Sequence, residues 1–293
     1  MSDQREQLQP LEIANRWLRL RFDLAKGLYS IFAEAGAGID VALTELASEA
    51  VLRKGRQTVV FRSVEADVLS YAVSQTEWRG ETAKQLTVEF SRPGSEVHLR
   101  FHAMLPHDRN ALFLRLSVYV DPTSAASEDQ SLVALKLVPL ATTSARSLVL
   151  GADGELSFFK HGWQSWSHCG ALQTSDRDRG TRLGPLARPV HTNPTTPTGR
   201  RRGHFWSEGF GIISQRRPGD GGAQRGWSVI LGFATLASQI TLLEVDLQRR
   251  SSRLASHPEV FITRDHDVSS EWAYVEFIPP PEVAQAPAEA DIL

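Results

Sequence analysis

The stretch KQLTVEFSRPGSEVHLRFHAML, residues 84–105, decides the fold. Its two arms, KQLTVEF (84–90) and EVHLRFHAML (96–105), alternate apolar and polar side chains with a period of two. That is the period at which a strand turns successive side chains to opposite faces. Between the arms, Ser91-Arg92-Pro93-Gly94-Ser95 supplies turn chemistry, since proline presets φ and glycine accepts a left-handed backbone. Strand, turn, strand is the expectation. The pattern spreads outward in both directions. LRLRFDL (18–24) and LYSIF (28–32) flank Ala25-Lys26-Gly27, a second hairpin signal. ALFLRLSVYV (111–120), SLVALKLVPL (131–140), SVILGFAT (228–235), ITLLEVDL (240–247) and EWAYVEFI (271–278) read as further strands. One run departs from the rule. IDVALTELASEAVL (39–52) sets apolar residues at i, i+3 and i+4, so a single amphipathic helix is expected there. Strands and helices do not alternate, which argues against a parallel α/β sheet. The fold class is all-β: a large antiparallel β-sandwich with few helices.

The bulk numbers bound what such a sandwich does. A chain of 293 residues exceeds the usual ~100–200 residues of one domain, yet β-sandwiches run to ~250 residues as one unit. The expected organisation is a polar tail over 1–10, one sandwich over 11–278, and a Pro/Ala-rich linker or tail over 279–293. A single cysteine, Cys169, excludes an internal disulfide framework and a cysteine-based zinc cluster. With 32 basic against 34 acidic residues, formal net charge −2, there is no general attraction to nucleic acid or to an anionic membrane. The start, MSDQREQLQP, has no apolar core of a leader, and no run approaches ~20 apolar residues. A soluble cytoplasmic protein, with no nucleic-acid or membrane partner, is the expectation.

Two stretches carry chemistry that a core strand does not need. FFKHGWQSWSHCG (158–170) places Trp163 and Trp166 three residues apart, joined by Gln164 and Ser165, after an apolar Phe pair. An indole stacks on the flat C–H face of a sugar while neighbouring amides and hydroxyls bond its hydroxyl groups. On a strand the two rings point to opposite faces, so one anchors in the core while the other reaches a pocket. The competing reading makes both rings core aromatics at a sheet end. GHFWSEGFGII (203–213) presents Trp206, Ser207 and Glu208 between glycines. Glu208 is a candidate acid or sugar-binding carboxylate, or else a salt-bridged strand end. A retaining glycosidase needs two carboxyl groups roughly 5–5.5 Å apart. Asp153, Glu155, Asp176 and Asp178 are available partners, and nothing in the sequence pairs one of them with Glu208.

The remaining candidates are weaker. His98 and His102 share a strand face and read as solvated side chains. His161, His168, His191 and His204 crowd the tryptophan region without a carboxylate at ligand spacing, so no metal and no cofactor is expected. Cys169 beside His168 is a neighbour in sequence only. Residues 173–203 hold seven arginines and four prolines without apolar period, and read as a long loop. No aromatic residues interleave its basic run for base stacking.

HGWQSWSHC (161–169) resembles the Trp-Gln-Ser-Trp motif in the N-terminal domain of family 36 glycoside hydrolases, the α-galactosidases or melibiases. The pieces that follow keep that family's order: a polar loop, the strand with Trp206-Ser207-Glu208, WSVILGFAT (227–235), ITLLEVD (240–246) and SSEWAYVEF (269–277). The resemblance is specific over about 150–280. It implies a β-supersandwich of the galactose-mutarotase-like kind, packed in the family against a (β/α)₈ barrel that carries both catalytic aspartates. Neither the barrel nor the family's Trp-Cys-Ser-Trp segment is found in this sequence, so no residue here is assigned a catalytic role. By the resemblance, Trp166 forms a wall of the galactose pocket, and Trp163 then faces the sandwich core; Gln164 and Glu208, from the reading of the residues themselves, complete the expected substrate-binding set. The implied function is the N-terminal domain of an α-galactosidase-like hydrolase, inactive alone. Its partners would be an α-galactoside, a barrel-bearing chain or further copies of itself. The alternative is a free-standing carbohydrate-binding or assembly module without catalysis.

Overall fold

The computed structural model describes residues 8–34, 41–121, 130–136, 147–151, 154–161, 168–178, 201–219, 222–236, 238–263 and 266–280. Among them the chain forms three antiparallel sheets and one 3₁₀ turn, Ser63–Glu65. The five-stranded sheet runs β1 (Leu11–Ala14), β2 (Leu18–Asp23), β3 (Leu28–Ala33), β4 (Val41–Leu46) and β12 (Leu148–Leu150). The seven-stranded sheet contains β5 (Glu49–Lys54), β6 (Gln57–Arg62), β11 (Gln130–Lys136), β15 (His204–Ser207), β18 (Ile240–Asp246), β19 (Ser251–His257) and β20 (Val260–Phe261). Its order is β15-β18-β19-β11-β5-β6, with β20 beside β11.

The ten-stranded sheet is the frame. It is built from β7 (Asp67–Trp78), β8 (Glu81–Ser91), β9 (Val97–Pro106), β10 (Leu112–Val120), β13 (Glu155–Lys160), β14 (Gly170–Gln173), β16 (Phe210–Gly219), β17 (Gly222–Phe233), β21 (Val268–Ser269) and β22 (Ala273–Ile278). Its order is β14-β13-β16-β17-β22-β10-β9-β8-β7, with β21 beside β10. β8 and β9 are the two arms of the 84–105 stretch, and Phe90 lies opposite Leu99 as the alternation requires. Gly94 at the turn has φ 76°, the left-handed value that favours glycine.

One continuous core joins the layers. Phe22 of β2 and Tyr29 of β3 meet Phe101 of β9 at centroid distances of 5.2 and 4.7 Å, which seats the five-stranded sheet on the large one. Phe158 of β13 stacks on Phe205 of β15 at 5.8 Å, which seats the seven-stranded sheet near its other end. Each buried ring of this kind contributes about 1.5–3 kcal/mol. At Gly27, φ is 64° and a Cβ would lie 2.2 Å from the Ser63 carbonyl oxygen, so only glycine lets the β2–β3 turn dock there.

The helix expected over 39–52 is absent. Residues 41–46 and 49–54 are β4 and β5, which belong to different sheets, with Glu45 at φ 54° and a buried Ala47–Ser48 link between them. Both strands bury consecutive residues, and that filled the helical spacing. His98 and His102 are not solvated. His98 is only 8% exposed and stacks on Tyr119 at 5.1 Å. His102 lies opposite Arg115 and within 3.4 Å of the Thr87 hydroxyl. Burial, with the charges of Arg100 and Arg115, pushes its pKa from 6.5 down to about 4. No helix among the described residues is long and apolar enough to cross a membrane.

This depression has a sign. The folded chain keeps His102 neutral until about pH 4, whereas an unfolded chain protonates it near 6.5. Acid between those values therefore favours unfolding, and burial of His257 acts in the same direction. Urea melts should show stability falling from pH 6.5 toward pH 4, with a shallower slope in His102→Gln. An unchanged slope in that variant would remove His102 from the account.

Candidate functional site

β13 carries Leu156, Phe158 and Lys160 on one face, all buried at a period of two. The third member is a lysine in the core, and its ammonium needs an anion. Asp178 provides it: Lys160 Nζ donates to Asp178 Oδ1 at 2.6 Å, with side chains 2% and 1% exposed. The other carboxylate oxygen, Asp178 Oδ2, accepts the backbone N–H of Trp206 at 3.1 Å. One ionic contact thus fastens three segments: the end of β13, the entry of the arginine-rich stretch, and β15.

Immediately past Lys160 the chain enters the Trp-Gln-Ser-Trp motif and returns as β14, with Lys160 opposite Gly170. Trp163, Gln164, Ser165 and Trp166 lie outside the described residues, as do Asp153 and His191. The base of the hairpin is described in detail. The His161 N–H donates to Ser207 Oγ at 2.9 Å, and that hydroxyl lies 2.6 Å from the Phe210 carbonyl oxygen that accepts its proton. His161 Nδ1 donates to the Glu208 carbonyl oxygen at 3.1 Å, while its ring stacks on Phe210 at 4.9 Å. Gly209, at φ 72°, turns the chain from β15 into β16. Glu208 is therefore brought to the foot of the motif hairpin, half-buried, through its own backbone. Gly211 is required on the other side of β13. A Cβ there would lie 2.4 Å from the Phe158 ring.

Among the described residues, the other candidate carboxylates have places of their own. Asp178 is engaged by Lys160. Asp176 Oδ2 accepts the Gln173 N–H at 2.7 Å and caps a turn. Glu155 opens β13, and the length of that strand puts it about 16 Å from Lys160. Across β15, His204 Nε2 lies 2.7 Å from Glu244 Oε1, and its ring meets that of half-buried Trp206 at a tilt, centroids 4.1 Å apart. Burial would raise the pKa of Glu244, but the His204 hydrogen bond and the Arg253 charge outweigh it and hold the carboxyl below its usual range. Asp246, almost fully buried, takes Arg201 and the Arg249 N–H. Among the described residues no three His, Cys, Asp or Glu side chains gather as a metal set. Cys169 is exposed.

The stretch expected as a long loop over 173–203 is tied at both described ends. Gln173 belongs to β14, Arg177 bridges Arg202, and the Gly203 N–H donates to the Asp176 carbonyl at 2.9 Å. Residues 179–200 lie outside the described residues. Sequence reading missed the role of Lys160, although the period-two pattern put it on the core face. It also missed the His204–Glu244–Arg253 cluster, whose members come from three strands.

The architecture is that of an all-β supersandwich, and solved structures share it. No family model matches the chain, and no curated protein matches it. Its fold is similar to part of the family 36 α-galactosidase AgaA from Geobacillus stearothermophilus, with TM-score 0.55 and 9% identity over 93% of this chain and 41% of that one. The α-galactosidase from Lactobacillus brevis gives TM-score 0.50 and 11% identity over 92% and 39%. The galactosidase domain of the α-galactosidase-sucrose kinase AgaSK gives 0.53 and 9% over 93% and 41%. At these identities the likeness is one of fold. The chain spans about two fifths of the length of these proteins.

The ion pair makes an expectation of its own. Asp178→Ala leaves an unpaired buried ammonium, so stability should fall by about 3–5 kcal/mol. The double variant Lys160→Met/Asp178→Leu removes both charges and should lose much less. Denaturant melts of the three chains check this, and a double variant as unstable as Asp178→Ala would contradict it.

Proposed function

We propose that the chain is the accessory sandwich of an α-galactosidase-like glycoside hydrolase. In this reading it lends a wall to a galactoside pocket completed by a barrel domain that this sequence does not contain. Trp166 is the wall, Trp163 anchors the hairpin in the core, and Gln164 and Glu208 bond sugar hydroxyls. The observation that carries the reading is the hairpin base. Lys160–Asp178 and the His161–Ser207–Glu208 contacts tie down residues 160 and 161, just before the Trp-Gln-Ser-Trp motif, at one end of the large sheet. The shared fold with part of α-galactosidases supports it. The partners proposed are an α-galactoside and a barrel-bearing chain.

A second reading, a free-standing carbohydrate-binding module, draws on Trp206. That indole is half-buried beside His204 on the side of β15 away from the core. Calorimetric titration with galactose and raffinose separates the two, since only the second requires measurable affinity for the isolated chain.

The purified chain should not hydrolyse an aryl α-galactoside above background. Turnover that survives purification and vanishes in Glu208→Gln would overturn the accessory reading. The tryptophans offer a finer test. Trp163→Ala should cost the ~3–5 kcal/mol of a truncated core aromatic, and Trp166→Ala well under that. Equal, large losses would withdraw Trp166 from the pocket.

A further inference from the structure

The face of the large sheet turned away from the main core carries a second, aromatic cluster. Leu112 and Leu114 of β10 belong to the main core, so Phe113 between them points to the other side. It lies opposite Met104 of β9 and Tyr274 of β22, and the Trp78 ring meets it at a centroid distance of 5.7 Å. Trp272 meets Trp78 edge to face at 4.5 Å. Both indoles are half-buried, so this floor is partly accessible among the described residues.

Arg115 stands on the same face, two residues along β10 from Phe113. Its guanidinium carbon lies 5.4 Å from the centre of the Trp272 ring, and its Nε donates to the Ser270 carbonyl oxygen at 3.2 Å. Among the described residues its two terminal amino groups meet no carboxylate. Arg100 and Arg253, also half-buried, are both paired. Arg100, its side chain 25% exposed, holds Glu89 and Asp267 at 2.6 and 2.8 Å, and Arg253, at 28%, holds Glu244 at 3.2 Å. Glu271 acts on Arg115 only through its charge, because its Oε1 accepts the Ser238 N–H and hydroxyl. Burial outweighs that charge and lowers the pKa of Arg115. A guanidinium drawn partly out of water is costly to leave without a carboxylate, and an anionic ligand would offset that cost.

The neighbours select the anion. Two amino groups on a planar fork match one carboxylate held by parallel hydrogen bonds. His102, opposite Arg115, stays neutral down to about pH 4, so the place offers one uncompensated positive charge. A phosphate monoester, with roughly −1.5 to −2 charges, would be left undercompensated. On the side of Arg115 away from Trp272, neutral His102 and Thr87 lie opposite each other on β9 and β8, and both hydrogen-bond to hydroxyls. An aromatic floor, one guanidinium fork and neutral hydrogen-bonding groups together suit a pyranose ring that bears a carboxylate. We propose that this face binds a uronic acid, with its carboxylate on Arg115, its ring against Trp272, and its hydroxyls within reach of His102 and Thr87. The site shares no residue with the hairpin end of the sheet, so it stands or falls independently of the galactoside reading.

Calorimetric titration of the 293-residue chain with sodium galacturonate, sodium glucuronate, galactose and inorganic phosphate tests the proposal. At least one uronate should bind with a Kd of about 5 mM or tighter. Arg115→Met should weaken that binding roughly tenfold or more, and Arg115→Lys, which keeps the charge but loses the fork, should weaken it about threefold or more. Trp272→Ala should weaken it as well, while any galactose binding should be indifferent to Arg115. Urea melts report whether each variant is folded. Should Arg115→Met lose its fold, Arg115→Lys decides alone. The absence of uronate binding at about 20 mM overturns the proposal, and covers the case in which another segment of this chain occupies the face. Uronate affinity unchanged in a folded Arg115 variant overturns it equally. So does phosphate bound more tightly than either uronate, or galactose bound as well as a uronate and lost together with it in Arg115→Met.

Discussion

The contact between Lys160 and Asp178 organises the end of the large sheet from which the Trp-Gln-Ser-Trp segment leaves. Two charges are removed from water there, a cost of several kcal/mol per ion that their attraction and hydrogen bonds must offset. A leucine pair would fill the same space more cheaply. What apolar residues would not supply is direction. The carboxylate accepts from the ammonium at one oxygen and from the Trp206 N–H at the other, so its position sets the spacing of β13 and β15. Since Phe158 stacks on Phe205 one layer deeper, the same spacing fixes how two sheets meet. The chain leaves β13 one residue beyond this point, at His161, which is itself bonded to Ser207 and to the Glu208 carbonyl.

The large sheet has two unlike ends because its neighbours do not cover it evenly. At the β13–β14 end, packing, an ion pair and a hydroxyl relay converge on a few residues. At the β7 end, the inner face runs past the smaller sheets and leaves Tyr71 and Val73 half exposed. Sheet twist makes uneven coverage hard to avoid, since strands rotate by roughly 20–25° from one to the next. A sheet of this width therefore outruns the layers beneath it.

Much of the fold was legible where local chemistry and tertiary demand agree. The Pro93-Gly94 turn and the 18–32 hairpin carry their own turn residues, and β2 and β8 beside them alternate buried and more exposed side chains. The 39–52 segment misled because β4 and β5 bury neighbouring residues in different sheets, which removes the period-two signature. β7 passed unread for the opposite reason. Its side chains are mostly exposed, so SYAVSQT carries no buried face to announce it. At the site, Asp178 is among the candidate partners of Glu208 by sequence, whereas in the structure it pairs with Lys160. A pairing across eighteen residues has no local signal. Buried His98 and half-buried His102 escape a sequence reading likewise, since their neighbours Tyr119 and Arg115 come from the adjoining strand.

The electrostatics of the site also bear on what it can do chemically. A general acid must release a proton near the working pH, and therefore needs a carboxyl whose protonated form is not suppressed. Glu244 is held below its usual range by His204 and Arg253, so at neutral pH it has no proton to give. Asp246 is occupied by arginines and by the Arg249 amide, and Asp178 by Lys160 and the Trp206 amide. Each of these described carboxylates is spent on holding strands together. Glu208 stands at the end of β15, where its backbone carbonyl accepts from His161 Nδ1. The ion pairs and amide contacts at this end of the sandwich thus hold β13, β15 and β18 together.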